Sequence, residues 1–314
     1  MIEMAKRKAT DAGTTTTPER ERAPMPGSQP GLVLGAQEAG LREAYRRIHA
    51  ARLAGILPVR TYAAAEDGGP AQFRPRTPVP QVVRGVGVID VVGPLSKAED
   101  LYNWFFGSLT YGQLVEQVEQ VRRDVRVQAV LLRIDSPGGT VAGVSDLCQA
   151  LNRLRDEKPL VAAVSDLGAS CAYQVAACAP RIFADRDGWV GSVGVYCIID
   201  EVSRMFEDAG WAVRLFATER DPYKGMGTPG TPVTTEHAEE YQRVVDELGT
   251  EMIRSIYAAR PALRTAAQPL PDGRCYMGED ARQRGLIDGV ATWYDVLEAM
   301  ADGDLTAENV GQTP

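Results

Sequence analysis

Histidine is almost missing from this chain, whose 314 residues include two, His49 and His237. His49 falls in a basic amphipathic stretch and His237 at a polar helix start, so both read as surface residues. A Ser-His-Asp mechanism or a His-rich metal site therefore has little to draw on, and any hydrolase here is expected to use another base. Neither a metal nor a cofactor is expected. The five cysteines (Cys148, Cys171, Cys178, Cys197, Cys275) are odd in number and form no CxxC. In a chain too long to need covalent staples, they are expected to be reduced thiols in a cytoplasmic setting. Long apolar runs are also lacking: Val82 to Leu95 is the best, and Arg84 and Asp90 interrupt it well short of the roughly 18 residues of a membrane span. Lys6, Arg7 and Lys8 have no apolar region behind them, so neither a secretory signal nor a membrane anchor is expected.

What remains is ordinary globular composition, 44% hydrophobic and 24% charged, which excludes collagen-like, wholly disordered and disulfide-scaffold proteins. Charge is unevenly spread. Residues 1–60 hold ten Lys/Arg against six Asp/Glu, leaving 24 against 36 for the rest. Residues 1–35, rich in Thr, Pro and charge, read as a disordered tail. Residues 36–81 read as a short basic helix, Gln37 to Leu57, followed by a Gly/Pro-rich linker. No nucleic-acid partner is expected; the helix face around Arg42 to Arg52 is either solvated or turned to an acidic partner.

From residue 82 to about 301, short β-rich runs alternate with helical periodicities, which predicts an α/β domain of repeated βα units with a largely parallel sheet. Strands are expected at Val86–Val92, Ala129–Ile134, Leu160–Val164, Ile182–Ala184, Ser192–Tyr196, Val213–Ala217 and Leu286–Ile287. Helices are expected from Tyr111 through Val121, and at Val144–Arg155, Ala169–Ala177, Thr235–Ala259, Glu279–Arg284 and Trp293–Met300. Residues 302–314 read as a frayed tail.

Three segments place small or polar groups at the ends of apolar strands, where ligands bind in open α/β sheets. Asp135-Ser136-Pro137-Gly138-Gly139-Thr140 is either a plain strand-to-helix turn or a cradle of bare N–H groups for an oxyanion or phosphate. The Gly-Lys-Ser/Thr ending of a Walker loop is absent. In Leu167-Gly168-Ala169-Ser170-Cys171-Ala172-Tyr173, Ser170 is either an N-cap or a nucleophile near a positive helix end. In Tyr223-Lys224-Gly225-Met226-Gly227-Thr228-Pro229, Lys224 is either solvated or, once carried into an apolar cleft, a general base.

Taken in order, DSPGG (135–139), ASCAY (169–173), GSVGV (191–195), YKGMGTP (223–229) and GRCYMGEDARQRGLID (273–288) resemble peptidase family S49, which includes signal peptide peptidase A and phage capsid-assembly proteases. The resemblance spans about residues 82–300. It implies a ClpP/crotonase-like fold and a Ser/Lys dyad, with Ser170 as nucleophile and Lys224 as general base. The amides of Gly139 and Cys171 would be the oxyanion donors, Ser192 would orient the lysine, and Gly138 and Tyr173 would contact substrate. Cys171 stands where relatives commonly carry glycine, and Gln174 replaces a more usual aromatic or small residue. A ClpP-type triad would need a histidine where Val195 stands. A crotonase-type acyl-CoA enzyme would leave the Ser170/Lys224 pair unexplained, and a Cys171 nucleophile is the minor alternative to Ser170. The resemblance further implies a homo-oligomer acting on peptide or protein substrates. The expected role is a capsid-maturation protease, within phage proheads or the cytoplasm. The alternatives are a cellular signal-peptide-peptidase-like protease and a catalytically silent prohead scaffold or peptide-binding protein.

Overall fold

The computed structural model describes residues 79–97, 109–264 and 273–305. The expected basic helix, its leader, the linker up to residue 78 and most of the expected C-terminal tail lie outside these residues.

An antiparallel hairpin opens the sheet. β1 (Gln81–Val83) and β2 (Val86–Val92) are joined by Arg84 and Gly85, with φ of 48° and 86°. Two successive positive φ values give the turn whose twist suits a two-residue hairpin. Thereafter pairing is parallel through β3 (Ala129–Ser136), β4 (Leu160–Ala169) and β5 (Arg181–Ala184) to the short β8 (Gly289–Val290). Each crossover carries a helix: α1 (Tyr111–Arg123) before β3, α2 (Val144–Glu157) before β4, and α3 (Cys171–Ala176) before β5. α1 starts on a capping box in which Thr110 and Gln113 satisfy each other's backbone N–H.

Alternation along the central strands sends side chains to two separate cores, as the strand period of two requires. Val130, Leu132 and Ile134 of β3 join Leu114, Val118 and Val121 of α1 and Leu147, Leu151 and Leu154 of α2. Ala129 and Leu131 face the other way with Val86, Val88, Val161 and Ala163, and meet Val296, Leu297 and Met300 of α7 (Trp293–Asp302). The expected α/β class with a largely parallel sheet is what the chain adopts.

β4 changes partner midway. Val161–Val164 pair with β5, whereas Leu167–Ala169 pair with β6 (Trp189–Gly191), itself antiparallel to β7 (Cys275–Met277). The register against β3 shifts between Ile134 and Ser136, so the last part of β4 bends away from β5. Three expected strands are corrected. The Ser192–Tyr196 strand ends earlier, at Gly191, because Gly191, Ser192 and Gly194 all take positive φ. Val213–Ala217 forms no strand; Leu215 and Phe216 are solvent-exposed instead of sheet-paired. Leu286 and Ile287 are buried, but the strand lies just beyond them in β8.

Two helices close the domain around this stretch. α4 (Ser203–Asp208) is short and has no buried residue. α5 (Thr235–Ala259) has the expected bounds, begins on Thr234 capping the His237 amide, and buries only Met252 and Ile256 near its end. There Arg260 grips Asp288 through two guanidinium bonds of 3.0 and 2.8 Å, and Asp288 also accepts the Ile182 amide at 2.7 Å. α6 (Gly278–Gln283) leads into β8. No helix among the described residues is long and apolar enough to cross a membrane.

Candidate active site

β3, β4 and β6 end side by side at one edge of the sheet, which gathers the residues that follow them. Ala169 pairs with Gly191, so Ser170 and Ser192 emerge as neighbours, and the Ser170 amide donates to the Gly191 carbonyl at 2.8 Å. Ser170 holds φ 54° and ψ −124°, a conformation costing a non-glycine residue about 1–3 kcal/mol. The surroundings enforce it: its amide is fixed by Gly191 and its carbonyl accepts the Gln174 amide at 3.0 Å, starting α3. Strain of this kind at a strand-to-helix junction marks a residue held for a purpose beyond packing.

The Gly138–Gly139 turn closes directly on this junction. A Cβ at Gly138 would stand 2.7 Å from the Ala169 carbonyl oxygen, 2.8 Å from Ser170 Cβ and 2.9 Å from the Cys171 nitrogen. Gly138 also has φ +90°, so both space and backbone demand glycine there. A Cβ at Gly139 would fall 1.8 Å from the Leu95 carbonyl oxygen. The chain just after β2 therefore backs the turn on one side, while Ser170 and Cys171 face it on the other.

Two backbone donors converge here. Ser170's carbonyl is spent on the helix, and Cys171, as its first residue, has an N–H without an intrahelical acceptor. The Gly138 carbonyl is taken by the Leu95 amide at 2.8 Å and the Thr140 amide by the Leu95 carbonyl at 2.9 Å. Among the described residues, the Gly139 and Cys171 amides have no backbone acceptor. A pair of free amides beside a strained serine can bind the negative charge of a tetrahedral intermediate.

Neighbouring side chains stiffen the turn. Tyr111 donates its hydroxyl to the Thr140 carbonyl at 2.8 Å, and burial pushes that phenol far above its ordinary range. Ser136 is fully buried, donating to the Gly93 carbonyl at 2.6 Å and accepting the Gly138 amide at 3.1 Å. The Cys171 thiol is 2% exposed, and burial raises its pKa. A thiol kept protonated is a poor nucleophile, which disfavours Cys171 against Ser170.

Other residues expected at the site sit differently. Tyr173 is fully buried and donates its hydroxyl to the Leu286 carbonyl at 2.9 Å, a core position rather than a substrate-facing one. Lys224 lies in the turns between α4 and α5, its amide on the Asp221 carbonyl at 3.0 Å and its side chain exposed. Among the described residues no hydrogen bond joins it to Ser170 or Ser192. Tyr196, Ile198, Trp211, Phe216 and Tyr223, which precede it in the chain, also leave large apolar side chains exposed.

Comparison with known proteins bears directly on this arrangement. The pattern of peptidase family S49 matches residues 152–306, which include Ser170, Ser192 and Lys224. The likeness to peptidase family S49 thus covers 155 of the 314 residues. A Methanocaldococcus jannaschii protein to which a protease name is provisionally attached is 31% identical over 186 residues, 59% of each chain. The capsid assembly protease C of Escherichia phage lambda is 26% identical over 281 residues, covering 83% of this chain and 62% of that one. The chloroplastic serine protease SPPA of Arabidopsis thaliana is 26% identical over 206 residues, 65% of this chain and 30% of that one. This chain thus spans less than two thirds of the length of each of these relatives.

The Gly138–Gly139 turn precedes the S49-matched stretch, and the fold brings it onto Ser170. Tyr111 and Ser136 were visible in the sequence only as a helix-face residue and a motif member. Their tie to the site depends on β2 continuing beside the turn. The available signal was Pro137, which removes an amide at a strand end and leaves a neighbouring hydroxyl to replace it.

Proposed function

We propose that this chain is a serine endopeptidase of ClpP/crotonase-like fold, using a Ser170/Lys224 dyad in phage capsid maturation. The observation that carries the reading is Ser170 held at φ 54° beneath a glycine turn, with two uncommitted amides beside it. In the proposed reaction the neutral Lys224 amine takes the Ser170 proton as Oγ bonds to the substrate carbonyl carbon. The carbonyl π electrons move to oxygen, and the Gly139 and Cys171 amides hold the resulting charge. Such donors are typically worth about 3–4 kcal/mol each. Collapse breaks the C–N bond, with Lys224 returning the proton to the leaving amine. Water, activated by the same lysine, then hydrolyses the acyl-enzyme. Ser192, emerging beside Ser170, is assigned the orientation of the lysine amine.

Lys224 needs a desolvated setting to act as base, and its exposure in the single chain points to assembly. In the stretch of chain leading to it, Tyr196 at 82%, Ile198 at 75%, Trp211 at 67% and Phe216 at 89% are also exposed, as expected of a surface that a second copy covers. A homo-oligomer is therefore part of the proposal. The capsid role, with capsid or scaffold proteins as substrates inside proheads, is favoured because the phage lambda relative aligns with 83% of this chain.

A fluorophosphonate probe should label the wild-type protein at Ser170 and fail on Ser170→Ala. Lys224→Ala should lose at least about 1,000-fold in peptide cleavage or self-processing, consistent with general-base and nucleophile-activation losses. Because its side chain is exposed within the single chain, the fold of each subunit should be retained. Near-wild-type cleavage by Lys224→Ala would refute the dyad.

A further inference from the structure

The register of the turn holds a feature that the dyad alone does not explain. β2 and β3 pair in parallel as far as Val92 with Asp135, yet the next bridge joins Leu95 to Gly139. Three residues on one side match four on the other, which is a one-residue bulge. In an unbroken ladder the Gly93 amide would donate to Asp135, the amide of residue 137 to Gly93, and that of residue 139 to Leu95. The first bond is present at 2.9 Å. The second cannot form, because residue 137 is proline. The third is made one residue late, by Thr140.

Ser136 fills the gap. Its hydroxyl donates to the Gly93 carbonyl, the acceptor that Pro137 leaves unserved, and accepts from the Gly138 amide. The slipped register then fixes the Gly138 carbonyl on the Leu95 amide. In a trans peptide the carbonyl and the following N–H point in opposite directions. The Gly139 N–H must therefore face away from the 93–95 segment, toward the side where Gly138 abuts Ala169, Ser170 and Cys171.

We infer that Ser136 is a positioning residue for the oxyanion hole, its hydroxyl replacing the missing amide of Pro137 and holding the bulge that keeps the Gly139 N–H free and aimed beside Ser170. This inference rests on the peptidase reading of the same site. Ser136 touches no reacting atom; it acts through the Gly138–Gly139 peptide.

The test uses the full chain with Ser136→Ala, and with Ser136→Cys as a same-sized second variant should the alanine protein fail to fold. Either is expected to lower kcat by about 10- to 100-fold while KM moves less than about threefold, since a misaimed donor is lost mainly in the transition state. Affinity for a peptide aldehyde, whose hemiacetal with Ser170 places an oxygen between the two amides, should fall by a similar factor. Binding of the corresponding unreactive peptide alcohol should be retained. A folded variant with lower melting temperature but wild-type kcat and aldehyde affinity would overturn the inference. A crystal structure of the variant decides it independently of turnover: the Gly138–Gly139 peptide should rotate or lose its order. An unchanged peptide with the Gly139 N–H still facing Ser170 would sink the idea. Absence of Ser170-dependent turnover in the wild-type protein would instead refute the peptidase reading, leaving the crystallographic arm to judge Ser136.

Discussion

Replacing Gly138 by alanine tests whether the turn is fitted to Ser170 or merely lies near it. Two costs add. A side chain at φ +90° costs about 1–2 kcal/mol from backbone handedness. Crowding follows, because the new Cβ would meet the Ala169 oxygen at 2.7 Å, Ser170 Cβ at 2.8 Å and the Cys171 nitrogen at 2.9 Å. Two of these are backbone atoms that cannot swing aside, so relief requires moving the turn, at about 1–3 kcal/mol for overpacking. The expected total, about 3 kcal/mol, corresponds to a fall in melting temperature of about 6–12 °C for a domain of this size. Gly303→Ala separates the two costs. Gly303 has φ +85° with nothing within 4 Å of its would-be Cβ, so that variant bears the backbone cost alone and should melt only a few degrees low. Calorimetric melting would be paired with the rate of fluorophosphonate labelling. Displacement of the turn from Ser170 should slow labelling of Gly138→Ala by about 100-fold, the scale of an ångström-level misplacement. Equal melting temperatures for the two alanine variants, with labelling within twofold of wild type, would refute the packing argument.

Other expectations concern groups around the site. The Cys171 thiol, raised by burial, should carry less thiolate than an ordinary cysteine at any given pH. Iodoacetamide at pH 8 should therefore spare Cys171 in the folded protein and modify it once the chain is unfolded in urea, as peptide mass mapping would show; stoichiometric Cys171 labelling of folded protein would contradict this. Asp288→Asn should destabilise the domain by about 2–3 kcal/mol, since it leaves the Arg260 charge, whose side chain is 11% exposed, without its carboxylate. Urea unfolding measures this, and an unchanged midpoint would count against a structural role for the pair. Burial first and Asp166 second raise the carboxyl of Asp135 above the usual range. Its folded form thus favours the proton. That contribution is fully present below the unfolded value of about 3.9 and is lost as pH rises through the folded one. Asp135→Asn should accordingly gain stability relative to wild type between pH 4 and pH 7; thermal melts showing the opposite trend would overturn the assignment.

Much of the fold is legible in the residues themselves. Apolar runs such as Val86–Val92 and Ala129–Ile134, and helical spacing from Tyr111 to Val121, survive folding because their burial demands are local and periodic. Reading fails where pairing partners decide the outcome. Val213–Ala217 looks like a strand by composition, yet it pairs with no strand of the described sheet, and Leu215 and Phe216 stay exposed. Ser192–Tyr196 takes no strand form, with Ser192 and Gly194 both at positive φ just after β6.

The sequence by itself determined the class: two histidines against a His-based triad, alternating β and helical runs for a parallel sheet, and the ordered motifs around Ser170 and Lys224 pointing to peptidase family S49. Those signals are local, written in residue type and spacing. The tertiary structure decided the site's geometry. It bent β4 so that Ser170 meets Gly191, laid Gly138 against Ser170 and Cys171, and slipped the ladder so that the Gly139 amide stayed free. Each depends on contacts between segments distant in the chain, where one missing amide at Pro137 changes which hydrogen bonds can form.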